Sequence, residues 1–224
     1  MREIVFLSDS RIAEVPVKEC AEPLVDLRTL EAVRVDPRLA DEASAYAHVR
    51  QSVADRLVVA QTRLPRELRF LIIEGFRPAA LQRRYFASAV TRQRAAHPDW
   101  DDARARIEAS RYVSPPEVAP HSTGGAVDLT LRTSGGVELD MGTAVNATPP
   151  ESDENCYTDA PDISPEARSN RRIMGDALIS AGFVNYRTEW WHWSFGERYW
   201  AFITQARYAR YGIVEDLTAD IERT

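Results

Sequence analysis

The stretch Ala119-Pro120-His121-Ser122-Thr123-Gly124-Gly125-Ala126-Val127-Asp128-Leu129-Thr130-Leu131 decides how this chain is read. A loop histidine leads through two glycines into a segment, Gly125 to Leu131, that alternates as a strand. Ser134-Gly135-Gly136 then reads as a turn toward a partner strand at Val137 to Leu139. The glycines permit a tight backbone path, so His121 and Asp128 can converge on one point. Imidazole nitrogen and carboxylate oxygen are donors that zinc uses. The same pair also makes hydrogen bonds that stabilise turns. Spacing alone leaves both readings open.

Upstream, apolar residues at helical spacing (Ala45, Val49, Val53, Leu57, Ala60) predict a helix from Asp41 to about Leu64, ended by Pro65. Leu68 to Glu74 is a short apolar run closed by Gly75, the pattern of a buried strand. Ala79 to Ala96 reads as a helix stopped by Pro98, and the proline-rich residues 111–120 read as loop. Downstream, residues 146–163 form a long polar loop, of the kind that often carries function. Ser164-Pro165-Glu166 is a strong helix start, and Gly182 a stop. Thr188 to Phe195 reads as a strand near the core, followed by a last helix around Tyr199 to Tyr208. The elements predict an α+β single domain, with a small central, mostly antiparallel sheet flanked by helices. Its motif-bearing part spans about residues 26–195, with a C-terminal helical extension at about 196–224.

The bulk properties narrow the function. With 224 residues, the chain suits one domain with a sizeable core. A net charge of −6 and a pI near 5.4 argue against an electrostatic nucleic-acid binder. No apolar run approaches the roughly 18 residues of a membrane span. The run Ile4 to Leu7 is too short for a signal segment, so a cytoplasmic protein without a membrane partner is expected. Cys20 and Cys156 form no paired motif and read as structural or incidental. Self-association stays open.

Two further segments carry chemistry. In Glu189-Trp190-Trp191-His192, a carboxylate and an imidazole sit beside an apolar wall. Lowered dielectric there perturbs pKa values and strengthens attraction to a metal. A core strand with a satisfied histidine has the same composition. In a regular strand residues i and i+3 face opposite sides, so Glu189 and His192 meet one site only at a bulge or a strand end. In Glu74-Gly75-Phe76-Arg77-Pro78, an arginine follows a buried strand. Arg77 is placed either to hold a carboxylate or oxyanion or simply to finish a surface turn.

Taken together, APHSTGGAVD (119–128), EWWH (189–192) and GFRP (75–78) resemble the D-alanyl-D-alanine dipeptidase family of zinc peptidases, the VanX type, in order and rough separation. DLTL (128–131) and MGT (141–143) extend the resemblance, which spans about residues 26–195. It implies one zinc per chain held by His121, Asp128 and His192, with Glu189 as general base and acid. It implies that Arg77 stabilises the tetrahedral intermediate. Ser122 and Trp191 are expected near a small peptide or peptide-like substrate.

This chain departs from the family at the positions that hold the substrate's free amine. Ala119 replaces a serine, Asn146 an acid, and Thr29 a tyrosine. An ammonium group there loses its main partner, at a cost when buried. Asp153 or Glu154 of the long loop are alternative sources of that charge. The leading expectation is zinc-dependent hydrolysis of an amide bond in a small peptide, with a D,D-dipeptide the first substrate to try. The alternatives are a related hydrolase acting on an N-blocked or non-standard amide in a specialised biosynthetic pathway, and a non-catalytic zinc-stabilised binding protein.

Overall fold

The computed structural model describes residues 4–217; Met1 to Glu3 and residues 218–224, the last part of the expected C-terminal extension, lie outside the described residues. In chain order the elements are α1 (Ser10–Ala13), β1 (Leu24–Asp26), β2 (Arg34–Val35), β3 (His48–Arg50), α2 (Gln51–Gln61), β4 (Leu68–Glu74), α3 (Ala79–Ala96), α4 (Asp102–Ala109), β5 (Ala126–Thr133), α5 (Pro149–Ser152), α6 (Pro165–Ser180), β6 (Val184–Asn185), β7 (His192–Ser194) and α7 (Arg198–Thr204). Five strands form one sheet in the order β2-β4-β5-β7-β6, and β1 pairs with β3 in a separate ribbon. Only β2–β4 is parallel within the main sheet. The expected α+β domain with a mostly antiparallel sheet is the fold observed.

Strand β4 is a nearly continuous apolar run because both its faces are covered, whereas β5 alternates apolar residues with Asp128, Thr130 and Arg132 and is still buried over its first six residues. Phe70, Ile72, Val127, Leu129 and Leu131 join Val53 and Leu57 of α2 and Met174 and Leu178 of α6 in the main core. Trp190, Trp191 and Trp193 belong to the same core. Ser164 caps α6 by accepting from the Ala167 amide, and Gly182 lies at φ 87° just beyond its end, as the sequence indicated.

Four expectations are corrected. The helix expected from Asp41 begins at Gln51, because His48–Arg50 pairs with Leu24–Asp26 and Ala45–Ala47 forms a 3-10 turn. Val137–Leu139 forms no regular strand; one bridge, Arg132 to Glu138, stands in its place. The tryptophan strand shrinks to His192–Ser194, with Thr188 to Trp191 in a turn ahead of it. The last helix stops at Thr204, where Gln205 takes a left-handed cap, and residues 206–217 are not helical. That tail still packs on the domain: Tyr211 is fully buried in the main core. Helix α4 lies where the sequence predicts no element: Asp101 caps its start, but it buries only Ala105 and Ala109 and so shows no apolar stripe. Among the described residues no helix is long and apolar enough to cross a membrane.

Candidate metal centre and active site

The register of three adjacent strands builds the site. Asp128 on β5 stands opposite His192 of β7 on one side and Glu74 of β4 on the other. An irregularity between Ile72 and Glu74 sets that last pairing. His121 arrives from a 3-10 turn, His121–Thr123, that ends at Gly124 with φ 71°. That left-handed position suits glycine, and a Cβ there would lie 2.3 Å from Leu24 Cδ2.

Three ligand atoms converge. His121 Nε2 lies 3.2 Å from Asp128 Oδ1, His192 Nδ1 lies 2.9 Å from the same oxygen, and the two ring nitrogens are 3.1 Å apart. A tetrahedral zinc with bonds near 2.0–2.1 Å needs ligand atoms about 3.3 Å apart. His121 Nδ1 lies 2.7 Å from the Gly75 carbonyl, an acceptor only, so that nitrogen carries the proton and Nε2 keeps its lone pair. Two ring nitrogens and a carboxylate oxygen, all buried, then face one another. Such a cluster repels itself unless a cation or protons sit within it, so the residues fit a metal ion.

The electrostatics agree with this. Burial disfavours a charged His121, yet the Asp128 carboxylate outweighs it and holds the His121 pKa above the usual value. Burial also works to raise Asp128, but the two imidazoles hold it well below the carboxylate range. The far nitrogen of His192, Nε2, is buried and has no hydrogen-bond partner among the described residues.

Glu189 and His192 face one site because the segment between them is a turn and not a strand. The Glu189 amide donates to the Tyr186 carbonyl, and the His192 amide to that of Glu189. This brings Glu189 Oε2 to 3.9 Å from His192 Nδ1. Burial pushes the Glu189 pKa up to about 7, with Asp128 adding to the rise and His192 and Arg77 opposing it.

Arg77 is no surface arginine. Its Nε donates to Glu74 Oε1 at 2.7 Å, Nη2 donates to Glu74 Oε2, and Nη1 donates to Gln82 Oε1 at 2.8 Å. Burial disfavours its charge, but Glu74 more than compensates and raises its pKa. The backbone is pinned as well: Arg77 N donates to the His121 carbonyl and Ser122 Oγ to the Arg77 carbonyl. Gly75 allows the close approach, since a Cβ there would meet the His48 carbonyl at 2.3 Å.

A cavity of about 780 Å³ opens onto these groups; His121, Asp128, His192, Glu189 and Arg77 all line it. Ala119, Asn146 and Trp191 line it too, whereas Ser122 does not. Ser122 is fully buried, and its hydroxyl serves the Arg77 backbone, so the expectation that it contacts substrate is corrected. Thr29 lies outside the cavity, with its hydroxyl donating to the Asp26 carbonyl. Asp153 and Glu154 are not in the lining either. Sequence reading missed Glu74 and Gln82. The first was legible as an acid ending a buried strand three residues before an arginine; the second left no signal.

A family model for peptidase M15, described as D-ala-D-ala dipeptidase, matches residues 37–211. The chain belongs to this peptidase family. A D-alanyl-D-alanine dipeptidase of Synechocystis sp. (strain ATCC 27184 / PCC 6803 / Kazusa) is 28% identical over 235 residues, 90% of this chain and 95% of that protein. One of Escherichia coli (strain K12) is 39% identical over 72 residues, 32% of this chain and 35% of its own length. The solved structure of the LdcB LD-carboxypeptidase aligns at 18% identity with a TM-score of 0.46, covering 91% of this chain and 79% of that one. In this M15 peptidase the matched region holds Arg77, His121, Asp128, Glu189 and His192, and it continues past α7 to Tyr211.

Proposed function

We propose that this M15 peptidase hydrolyses an amide bond in a small peptide, with zinc held by His121, Asp128 and His192. The observation that carries this reading is the convergence of those three ligand atoms in one cavity with Glu189. Bound zinc supplies Lewis acidity that brings the pKa of a water toward about 7. Glu189 accepts the proton from the attacking water and returns it to the leaving amine. Its raised pKa suits both halves of that transfer. Arg77 presents fixed N–H groups to charge that develops on the substrate oxygen.

Arg77→Ala should lower kcat by about 10²–10³-fold and leave zinc content unchanged. The variant also leaves Glu74 buried without its partner, which costs about 3–5 kcal/mol. Arg77→Lys keeps the charge without the two-pronged geometry and separates the effects: it should fold and still lose turnover. Normal turnover in both variants would leave Arg77 a structural role only.

A second observation favours a substrate whose amine is neutral. The acids lining the cavity are Asp41, Glu74, Asp128 and Glu189. Glu74 is taken by Arg77, Asp128 by the two histidines, and Glu189 by the chemistry. Asp41 accepts the Ala45 and Tyr46 amides, one at each oxygen. Asn146 is neutral and Ala119 has no hydroxyl. N-acylated D-Ala-D-Ala should therefore be cleaved in preference to the free dipeptide. Because a hydrogen bond to a charged group contributes about 1.5–3 kcal/mol, Asn146→Asp should shift the ratio toward the free form by about 10–10²-fold. Asn146 sits at φ 66°, which aspartate also tolerates, so the variant keeps the backbone. Kinetics on paired free and acylated substrates decide it. Efficient cleavage of the free dipeptide alone, lost in Asp41→Asn, would move the amine site to Asp41.

A further inference from the structure

We propose that Gln82 is a positioning residue for Arg77, setting which N–H groups of its guanidinium remain for the substrate. This rests on the amide-hydrolase reading above. Gln82 lies on α3, five residues after Arg77, and is fully buried. Its Oε1 accepts from Arg77 Nη1 at 2.8 Å, and its Nε2 donates to the Ser114 carbonyl at 2.7 Å. Arginine can only donate and a carbonyl can only accept, so the orientation of the amide is fixed by its partners. Neither glutamate nor methionine can replace it. A carboxylate would face the Ser114 carbonyl without a donor, and would set a second negative charge against an arginine already matched by Glu74. A thioether would leave both partners unmet.

A guanidinium has five N–H groups. Glu74 takes one on Nε and one on Nη2, and Gln82 takes one on Nη1. What remains is one N–H on each terminal nitrogen. Glu74 alone would leave the Nη1 group with both its hydrogens uncommitted, and the guanidinium free to tilt about its bond to Glu74. Gln82 adds a third fixed point, tied to the chain segment at Ser114. The same Ser114 lines the cavity, so the clamp couples the cavity wall to the arginine.

The test compares Gln82→Met with the wild-type, zinc-loaded protein. A misplacement of about 1 Å in a positioned group costs on the order of 10²-fold in rate. Gln82→Met should therefore lower kcat by about 10–10²-fold, with KM changed less than about threefold and zinc content unchanged. In Arg77→Ala, added guanidinium should restore part of the turnover, and the Arg77→Ala/Gln82→Met double variant should lose that rescue. An activity-independent readout is nitrogen-15 NMR of the Arg77 side chain. Rotation about the bond to Nη1 should be slow in the wild type and fast in Gln82→Met. Slow rotation in both proteins, or an unchanged kcat with rescue intact in the double variant, would overturn the proposal. A wild type without amidase activity but with the NMR difference would sink the hydrolase reading and leave the clamp standing.

Discussion

Glu189→Gln should lower turnover by about 10²–10⁴-fold while the protein keeps one zinc per chain. The amide matches the carboxylate in shape and cannot accept a proton. Glu189 lies in a turn ahead of β7, 3.9 Å from His192 Nδ1, and is not one of the three converging ligands. Metal content and catalysis therefore separate at this residue. Burial, reinforced by Asp128, pushes its pKa up to about 7. A cation among the ligands favours the carboxylate and draws that value down. The pH profile of kcat/KM for the zinc-loaded protein should accordingly show an acid limb at or below about 7, with activity falling as protonation removes the base. Metal analysis beside steady-state kinetics checks both parts. Full turnover in the glutamine variant would return Glu189 to the cavity wall. Absence of any activity in the wild type, across free and acylated dipeptides of both hands, would favour a zinc-stabilised binding protein.

His121→Ala and His192→Ala should each strip most of the zinc and reduce turnover to background. Two remaining ligands fall short of the three that catalytic zinc sites use. The loss at His121 reaches further, because its Nδ1 also ties the Gly75 carbonyl, next to the turn that carries Arg77. Chelation of the wild type tests the same site without substitution. A ligand present at 1,000 times its Kd stabilises the native state by about 4 kcal/mol. Thermal unfolding after chelation should therefore begin at a lower temperature and recover on adding zinc. Full zinc occupancy in both alanine variants would end the case for this centre.

The local sequence determined several elements outright. The apolar run Leu68–Glu74 and the span Ala79–Ala96 fold as read, because their signals lie in neighbouring residues and in the glycine or proline that ends each. Ser164, Pro165 and Gly182 bracket α6 for the same reason. The residue types of the candidate metal centre were legible too, since imidazole and carboxylate donors recur in recognisable strings.

What only the tertiary structure decided depends on distant pairings. Residues 48–50 have helical spacing yet become a strand, because 24–26 supply a hydrogen-bonding partner. His121 meets His192 across 71 residues and Gly75 across 46, and no local pattern encodes either contact. Whether Glu189 and His192 could share a site turned on where β7 begins, which its pairing with β5 and β6 sets. Ser122 looked like a substrate contact in the string and is a buried prop for Arg77 in the fold. Gln82 was one polar residue in a helix until the packing of α3 set it between Arg77 and the Ser114 carbonyl. Short-range propensity chooses elements. Strand register and side-chain packing choose which atoms of those elements meet, and the candidate site is made of atoms that meet only in this way.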